Sequence, residues 1–553
     1  MSDFNNLISS SDSNVRQHIK NCYSKLLSGL EFPVKDLEDT YRQMAPTIHR
    51  NLFGDKIDID VLNYCLNRLP AQIFSTKKII LGQNRETLIS AGYEINSWEE
   101  ASSKKRRRRN FYSSATFTIA SILSSDTDLG EIVNFLIAVE IEFNKIKAKL
   151  NLETDPEIPV SQTLGLDEKQ WLKLSSLLDS LDSNYINKIK NFSGFSIRLI
   201  NYNPDNYSPL ASDWWQSLYR RILISDLEDI PVYFISSNLH SLLNIIGGYV
   251  NVHQPHIYDY LQLQQPDLYQ QLKQIESDPG LLRREDYYYY ASAKYFENVP
   301  EARLKKQEWE KNLGIKNITL KHDLFCDAQL IPISALASSQ FIDPSLNVTD
   351  RQKLASSKGV IINIDYPLGF TAYLILSEIL KTLRKVAGIY IVGKAAILQG
   401  EIGDVQIPNI VFDEKLNNVI KFNNSFNQNF PVTSKKFSIL YDQKAISVQG
   451  VILENKSQID NYLKMNFNII EMESGSYLSA IAQKYNFQGE FPHSQVCELS
   501  NLPFDLGIIN YASDNPLSAN IGQDALALRG IGPAYASLLA IVQRIINLEE
   551  SNK

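Results

Sequence analysis

The apolar residues in the first 150 positions are spaced as they are in helices. They recur at three- and four-residue steps, which predicts amphipathic helices. The segments with this spacing are residues 15–30, 60–74 and 130–150. The polar, proline-containing residues 151–163 predict a linker, and a second helical group follows it. We therefore predict a mainly α-helical N-terminal half, with a domain over 1–155 and a connecting region over 156–225.

From about residue 226 the pattern changes to short apolar runs separated by helical segments. Residues 231–236 and 359–365 are such runs, as expected of parallel strands buried on both faces. Later runs of this kind cover residues 388–393, 402–414, 436–442, 446–453, 467–473 and 505–514. They predict an α/β domain over 226–553, with its core motifs in 355–550 and a mostly parallel sheet flanked by helices.

Composition and charge exclude several classes of protein. With 55 Lys plus Arg against 62 Asp plus Glu, the net charge is −7, so no global cationic field favours nucleic acid or anionic lipid. The four cysteines form no CxxC pair, which argues against a disulfide framework or a structural zinc site, and we expect no metal or cofactor. The first residues are polar and no window approaches 18 uninterrupted apolar residues. We expect a cytoplasmic protein without a membrane span.

Three motifs lie where predicted strands give way to polar or small residues, the position at which α/β proteins form ligand sites. The candidate residues are Gly393 and Lys394 in the first motif, Glu471, Met472 and Glu473 in the second, and Ser513, Asp514 and Asn515 in the third. Small residues in the first motif permit close backbone approach to a ligand. Acidic residues after a strand also cap helices or turns, so each motif alone has a structural interpretation as well.

In this order and spacing, the motifs resemble the nucleoside phosphorylase and nucleosidase superfamily, and within it the AMP nucleosidases most closely. The likeness is carried by Met472–Ser474, by the unbroken Ser-Asp-x-Pro-Leu of Ser513–Leu517, and by the large region that precedes them. The whole chain also resembles a bacterial family that shares a Lys/Arg tract, an SSNLHS-like segment and the YASDNPL motif. That second likeness implies no activity.

The superfamily resemblance implies a reaction and residue roles. Glu473 would accept hydrogen bonds from ribose hydroxyls, Met472 would pack on the sugar, and Asp514 would protonate N7 of a departing purine or hydrogen-bond to it. Glu471, Gly393, Lys394, Ser513 and Asn515 would contact the substrate. The implied substrate is a purine nucleotide or nucleoside, with phosphate as a possible second substrate, and the implied assembly is a homo-oligomer.

These roles agree with the chemistry of the reaction. Cleavage of an N-glycosidic bond develops positive charge on the sugar and negative charge on the base, so an acid is needed near the base and a carboxylate near the sugar. For Asp514 to hold a proton near neutral pH, its pKa must be raised, which burial with a carboxylate neighbour would do. Asp365, after the first strand of the motif region, is a candidate base for the attacking water.

Three functions remain open at this stage. Hydrolysis of AMP to adenine and ribose 5-phosphate is favoured, purine nucleoside phosphorolysis is the enzymatic alternative, and a nucleotide-binding sensor or scaffold without turnover is the third. Residues 394–396, Lys-Ala-Ala, depart from the hydroxyl- and glycine-containing loops of the related enzymes. Fold alone does not guarantee chemistry, so this departure keeps the sensor hypothesis open.

A basic tract and one histidine are candidates for phosphate binding. The tract runs from Lys104 to Arg109 and is followed by two aromatic residues. A solvated loop is the favoured interpretation in an acidic protein, and nucleic-acid binding is disfavoured. The phosphate-binding hypothesis assigns a nucleotide 5′-phosphate to Arg106, Arg107, Arg108 and Arg109, since Arg suits bidentate contacts. His240 follows a strand, although a helix-start histidine satisfied by backbone is the simpler interpretation.

Overall fold

The computed structural model describes residues 13–105, 110–152, 157–222, 224, 226–338, 341–428, 432, 436–490, 493–517 and 528–551. Within them the strands, numbered β1 to β17 in chain order, are Phe32–Pro33, Lys78–Gly82, Glu99–Ala101, Phe111–Ser113, Thr118–Ile122, Ser196–Leu199, Val232–Ser236, Lys316–Ile318, Ala328–Pro332, Val360–Ile364, Val386–Ile397, Val405–Asp413, Asn418–Phe422, Ile439–Ser447, Ile469–Glu471, Val496–Leu499 and Asp505–Asp514.

The helices, numbered α1 to α21 in the same way, are Ser13–Leu26, Glu38–Met44, Ile59–Leu66, Arg85–Ser90, Asp126–Leu152, Val160–Thr163, Glu168–Asp179, Tyr185–Lys190, Tyr207–Ile222, Leu239–Gly247, Tyr249–Val252, Gln254–Gln264, Pro266–Ser277, Arg284–Asn298, Pro300–Asn312, Ser334–Ser338, Arg351–Ser356, Phe370–Thr382, Lys456–Lys464, Ser474–Tyr485 and Ile531–Ser551. The molecule is therefore a mixed α/β protein.

The N-terminal half contains a six-stranded sheet as well as helices, which the sequence analysis missed. Its strand order is β1-β6-β2-β5-β4-β3. The central strand β2 pairs in parallel with β5 and β6, whereas the outer pairs are antiparallel. The predicted helices are present, and the long α5 is buried on all sides from Ile132 to Phe143, in the core of this half. The interpretation as a mainly helical half was too simple because five-residue apolar runs carry no helix or strand period of their own.

The C-terminal sheet is mixed, with parallel pairs in the slight majority, so the expectation of a mostly parallel sheet holds only in part. Its order is β16-β13-β12-β14-β15-β11-β7-β10-β9-β8, and β17 pairs with both β11 and β12. Parallel pairs such as β7–β10 and β11–β17 alternate with antiparallel ones such as β11–β15 and β12–β17. Five of these strands, β11, β17, β12, β14 and β15, close on themselves as a small barrel.

Helices cover both faces of this sheet. One apolar core lies under α9, α18 and α20, and a second lies under α10, α14 and α21. Among the described residues, the stretch Leu528–Ser551 has the length and mean hydropathy, 1.3, of a membrane span. Its residues Leu538, Ile541, Val542 and Ile545 are fully buried against the sheet, so it serves as a core helix here.

Two predicted segments differ in extent from the structure. The loop expected after Gly393 is absent, because β11 continues to Ile397. Residues 486–504, for which the sequence analysis gave no strand, contain the strand β16, which pairs in parallel with β13 at the edge of the sheet. Whether such short segments form strands depends on pairing partners far away in the chain. The composition of the segments themselves does not reveal those partners.

The two halves pack against each other through the start of α5 and the segment before α19. Thr127, in the first turn of α5, accepts a hydrogen bond from the amide of Phe370 at 3.3 Å, and Ser124 O accepts one from Thr371 at 3.2 Å. Ile452 and Leu453 lie in the apolar core of the N-terminal half although they belong to the C-terminal half in sequence. The contact between the halves is therefore part of the fold.

Gly369 is predicted to be essential to this contact. Its φ is +50°, and a Cβ there would lie 2.5 Å from Thr127 Oγ1. Gly369→Ala should lower the free energy of unfolding by about 1–2 kcal/mol through left-handed strain and by roughly 1–3 kcal/mol more through overpacking. Denaturant unfolding measures this loss. Gly489→Ala is the matched control, because φ is +96° but nothing lies within 4 Å. Equal losses in the two variants would contradict a packing role for Gly369.

Candidate active site

The end of β11 brings two of the sequence motifs together. Ala396 pairs with Ile470 of β15 on one side and with Asp514 of β17 on the other. Since neighbouring strands lie about 4.8 Å apart, the backbones of Ile470 and Asp514 are roughly 10 Å apart across β11. Glu473 follows Ile470 by three residues. The Met-Glu and Ser-Asp segments thus flank the Lys394–Ala396 stretch from opposite sides.

A bulge positions Asp514. Ala395 pairs with Ala512 and Ala396 with Asp514, so Ser513 is the extra residue of β17 at this point. Its hydroxyl lies 3.2 Å from Ala395 O and 3.2 Å from Asp514 Oδ1. Bulges of this kind reorient side chains at the rims of barrels and beside active sites.

Burial raises the pKa of Asp514 above its ordinary value, while the hydrogen bond from Ser513 and the charges of Arg68 and Lys394 act in the opposite direction. The upward direction of this pKa shift agrees with the sequence analysis, but the cause of the shift differs in one respect. We expected a neighbouring carboxylate to help raise this pKa, and the charged groups that act on Asp514 are cations. Desolvation is therefore what favours the protonated form.

Glu473 lies at the start of α20, where it faces the contact between the halves. It is half-buried, and its Oε1 accepts a hydrogen bond from the amide of Gly369 at 3.3 Å. Gly369 in turn packs on Thr127 of α5. The residue that precedes α18 thus holds the Glu473 carboxylate, next to the contact between the two halves.

Glu471 and Met472 have structural contacts of their own. The Glu471 carboxylate accepts hydrogen bonds from the Ser447 hydroxyl and from the amides of Glu473 and Ser474, at 2.7 and 2.6 Å for the amides. Burial raises the pKa of Glu471, and these hydrogen bonds oppose that shift. This geometry holds the first turn of α20 in place. Met472 is half-buried and packs on a small apolar cluster beside the barrel.

The remaining candidates of the motifs occupy the same rim. Gly393 and Lys394 lie within β11, where Lys394 is exposed and pairs with Tyr511 of β17. Asn515 directly follows Asp514, and its Oδ1 accepts a hydrogen bond from the amide of Leu517 at 2.8 Å. An Asx turn of this kind ends the strand. These residues are therefore neighbours of Asp514 in the sheet.

Asp365 and His240 lie at the ends of two other strands. Asp365 follows β10, where its own Oδ1 accepts a hydrogen bond from the amide of Tyr366 at 3.0 Å. His240 is exposed in the first turn of α10, behind β7. Arg106, Arg107, Arg108 and Arg109 lie outside the described residues. Over the described ranges, no group of three or more His, Cys, Asp or Glu side chains is arranged to hold a metal ion.

The N-terminal half contributes two residues that the sequence analysis missed. Arg68 lies just after α3, with its guanidinium 3.6 Å from the centre of the Tyr64 ring and Nη1 2.9 Å from Tyr64 O. The charge of Arg68 acts on Asp514, and the charge of Asp514 acts on Tyr64. Nothing in the local sequence of α3 indicates this, since the neighbourhood arises only when the halves pack.

A third missed residue is Glu454, which precedes α19 and is 4% exposed. Burial raises its pKa well above the ordinary value, and the nearby charges of Glu414 and Asp514 raise it further. Burial also raises the pKa of Glu414. Asp514 therefore belongs to a group of acids at the boundary between the halves, with Arg68 and Lys394 as its cations.

Neither Asp514 nor Glu473 lines any of three cavities formed by the described residues. The largest, about 610 Å³, runs along the outer face of α18 and is bordered by Asp126 of the N-terminal half. It begins at Phe370, next to the Gly369 amide that contacts Glu473.

A family model matches residues 34–547, and the family is described as "Family of unknown function (DUF6909)". The chain belongs to this family. A search of curated proteins found no match.

Solved structures give distant similarities. The 5′-methylthioadenosine/S-adenosylhomocysteine nucleosidase from S. pneumoniae is 10% identical, with 57% of this chain and 100% of that one covered and a TM-score of 0.30. Isoform 2 of uridine phosphorylase from Schistosoma mansoni is 11% identical, with 58% and 89% covered and a TM-score of 0.29. The Arabidopsis thaliana 5′-methylthioadenosine nucleosidase is 11% identical, with 44% and 91% covered and a TM-score of 0.29. Values this low decide nothing about activity, which has to be argued from the site itself.

Asp514→Asn is predicted to keep the fold and to be at least as stable as wild type at neutral pH. When the pKa of an acid is higher in the folded than in the unfolded protein, the free energy of unfolding falls as pH rises from the unfolded-state pKa, about 3.9 for Asp, to the folded-state pKa. Above the folded-state pKa this loss stays constant. The Asn variant lacks this cost and retains an oxygen that accepts the Ser513 hydrogen bond. Thermal unfolding of both proteins from about pH 3 to 8 measures the difference. A difference independent of pH would contradict the raised pKa.

Proposed function

We propose that the protein cleaves the N-glycosidic bond of a purine nucleotide or nucleoside, most concretely AMP and water to adenine and ribose 5-phosphate. The observation that carries this proposal is the strand register, in which β15 and β17 set Glu473 and Asp514 on opposite sides of β11. Two acids at this spacing match a reaction that needs one group at the sugar and another at the base.

Asp514 is proposed as the general acid. Its raised pKa favours the protonated form, so it is able to donate a proton to N7 of the purine as the bond to the sugar breaks. The proton moves from the carboxyl to the leaving base, and the Asp514 carboxylate that results is stabilised by the charges of Arg68 and Lys394. Desolvation thus favours the protonated form of Asp514 before the transfer, and the two cations favour its carboxylate afterwards.

Glu473 is proposed to accept hydrogen bonds from the ribose hydroxyls. Its half-buried carboxylate accepts a hydrogen bond from the Gly369 amide, and a carboxylate is the type of group that accepts hydrogen bonds from hydroxyls. Negative charge there also favours the developing oxocarbenium character of the sugar. Asp365, after β10, remains the proposed base for the attacking water.

A nucleotide is proposed over a nucleoside because of Arg68. Its guanidinium is held by Tyr64 through a ring contact and one hydrogen bond, which leaves other N–H groups available to an anion. When Asp514 is protonated, a phosphate monoester would supply the negative charge that faces this cation. Arg106 to Arg109 and His240 remain alternative proposals for the phosphate.

Asp514→Asn should reduce release of adenine from AMP by about 10²- to 10⁴-fold, the usual contribution of a general acid. The wild-type rate should fall as pH rises through the raised pKa of Asp514, because only the protonated form donates. Chromatography of free base measures both effects. Asp442→Asn is the control, since this exposed acid of β14 has φ +57°, a conformation that Asn tolerates. Unchanged turnover in Asp514→Asn would remove the assigned role.

Product analysis separates hydrolysis from phosphorolysis. Hydrolysis should proceed without inorganic phosphate and yield ribose 5-phosphate from AMP. A nucleoside phosphorylase would need phosphate and yield ribose 1-phosphate from adenosine. A raised melting temperature with AMP but no release of base under either condition would support the nucleotide-binding sensor and contradict the enzymatic proposal.

A further inference from the structure

Glu454 is buried in the contact between the two halves, where its hydrogen bonds to Thr47 use the backbone oxygen and leave the carboxyl group uninvolved. Its backbone oxygen accepts hydrogen bonds from Thr47 N at 2.9 Å and from Thr47 Oγ1 at 3.2 Å. Ile452 and Leu453 supply the apolar part of the contact. The carboxyl group is needed for neither interaction, because one uses the main chain and the other uses neighbouring residues.

The carboxyl of Glu454 lacks the partners that a buried charge requires. Its Oε1 is fully buried without a hydrogen-bond partner among the described residues. Its electrostatic neighbours there are two other acids, Glu414 and Asp514. An ionised carboxylate in such a place is strongly disfavoured, so burial and the two neighbouring acids raise the pKa of Glu454 and favour its protonated form.

Glu414, an acid in the same region, has hydrogen-bond partners of the kind that Glu454 lacks. Glu414 accepts a hydrogen bond from the Gln449 amide at 3.0 Å and one from the Tyr462 hydroxyl at 3.4 Å. Glu454 is more deeply buried than the half-buried Glu414, yet its Oε1 has no such partner among the described residues. A buried polar atom left without a partner costs stability, and native proteins retain it mainly where a ligand or water completes it.

We propose that Glu454 is a further ligand-binding residue of the candidate active site, whose protonated carboxyl hydrogen-bonds to the base of the substrate beside Asp514. The inference rests on the proposed function. A neutral carboxyl carries one donor and one acceptor, which match a heterocycle that presents a ring nitrogen next to an amino group, as adenine does. Asp514 then serves the departing nitrogen, and Glu454 positions the ring.

Glu454→Met is the decisive variant, because it keeps the volume but removes both polar atoms. It should melt at the wild-type temperature or above, since the orphaned polar group is gone, yet bind adenine about tenfold to a hundredfold more weakly through the loss of one or two hydrogen bonds. Glu454→Gln keeps a donor and an acceptor and should bind adenine close to the wild-type level. Calorimetric titration with adenine and thermal unfolding give the two measurements.

Glu498→Met is the matched control, because it removes an exposed carboxylate from the edge strand β16 and should change neither measurement. Wild-type adenine affinity in Glu454→Met, while the wild type binds adenine and cleaves AMP, would overturn the proposal for Glu454 alone. If the wild type neither binds adenine nor releases it from AMP, the proposed function itself fails.

An infrared readout covers the case in which Glu454→Met does not fold. The difference spectrum between wild type and Glu454→Gln at neutral pH should contain the C=O band of a protonated carboxyl, and adenine should shift that band. A band that is absent, or that adenine leaves unchanged, would overturn the proposal.

Discussion

The pairing of β11 with β15 and β17 at the same residue, Ala396, is the constraint on which the site depends. Both strand pairs are needed to close the five-stranded barrel. In each pair the backbone hydrogen bonds fix which residue lies opposite which. A slip by one residue would turn the side chains of a strand to its other face. The bulge at Ser513 adds a local change of direction just before Asp514. Closure of the barrel therefore sets the positions of Asp514 and Glu473 together.

The N-terminal half supplies part of the electrostatic environment of Asp514 and Glu473. The start of α5 lies against Gly369 and so against the Glu473 side of the rim, while α3 brings Arg68 towards Asp514. Exclusion of water there raises the pKa values of Asp514 and Glu454, because an ionised carboxylate loses its hydration. An open barrel rim would leave both acids close to their ordinary behaviour. The N-terminal half thus contributes to the acid–base properties of the acids in the C-terminal half.

Much of the fold was predictable where a segment is long or strongly periodic. Helix α5 and the strands β7 and β10 lie where the apolar pattern placed them, because burial on one or both faces leaves its period in the sequence. The sheet of the N-terminal half was missed because β2 and β5 are five-residue runs set among helices. Strand direction was predicted only in part, since antiparallel pairs such as β11–β15 depend on partners far away in the chain. Local composition carries no record of those partners.

The sequence by itself determined which residue types follow each strand, and thereby the candidates Glu473, Asp514 and their neighbours. Tertiary structure alone decided that Glu471 holds the first turn of α20, that Arg68 acts on Asp514, and that Glu454 is buried among acids. The physical reason is that the protonation and charge of a group depend on the water it loses and on every charge within reach. Both quantities come from segments brought together by folding, and neither is a property of the residue or of its neighbours in sequence.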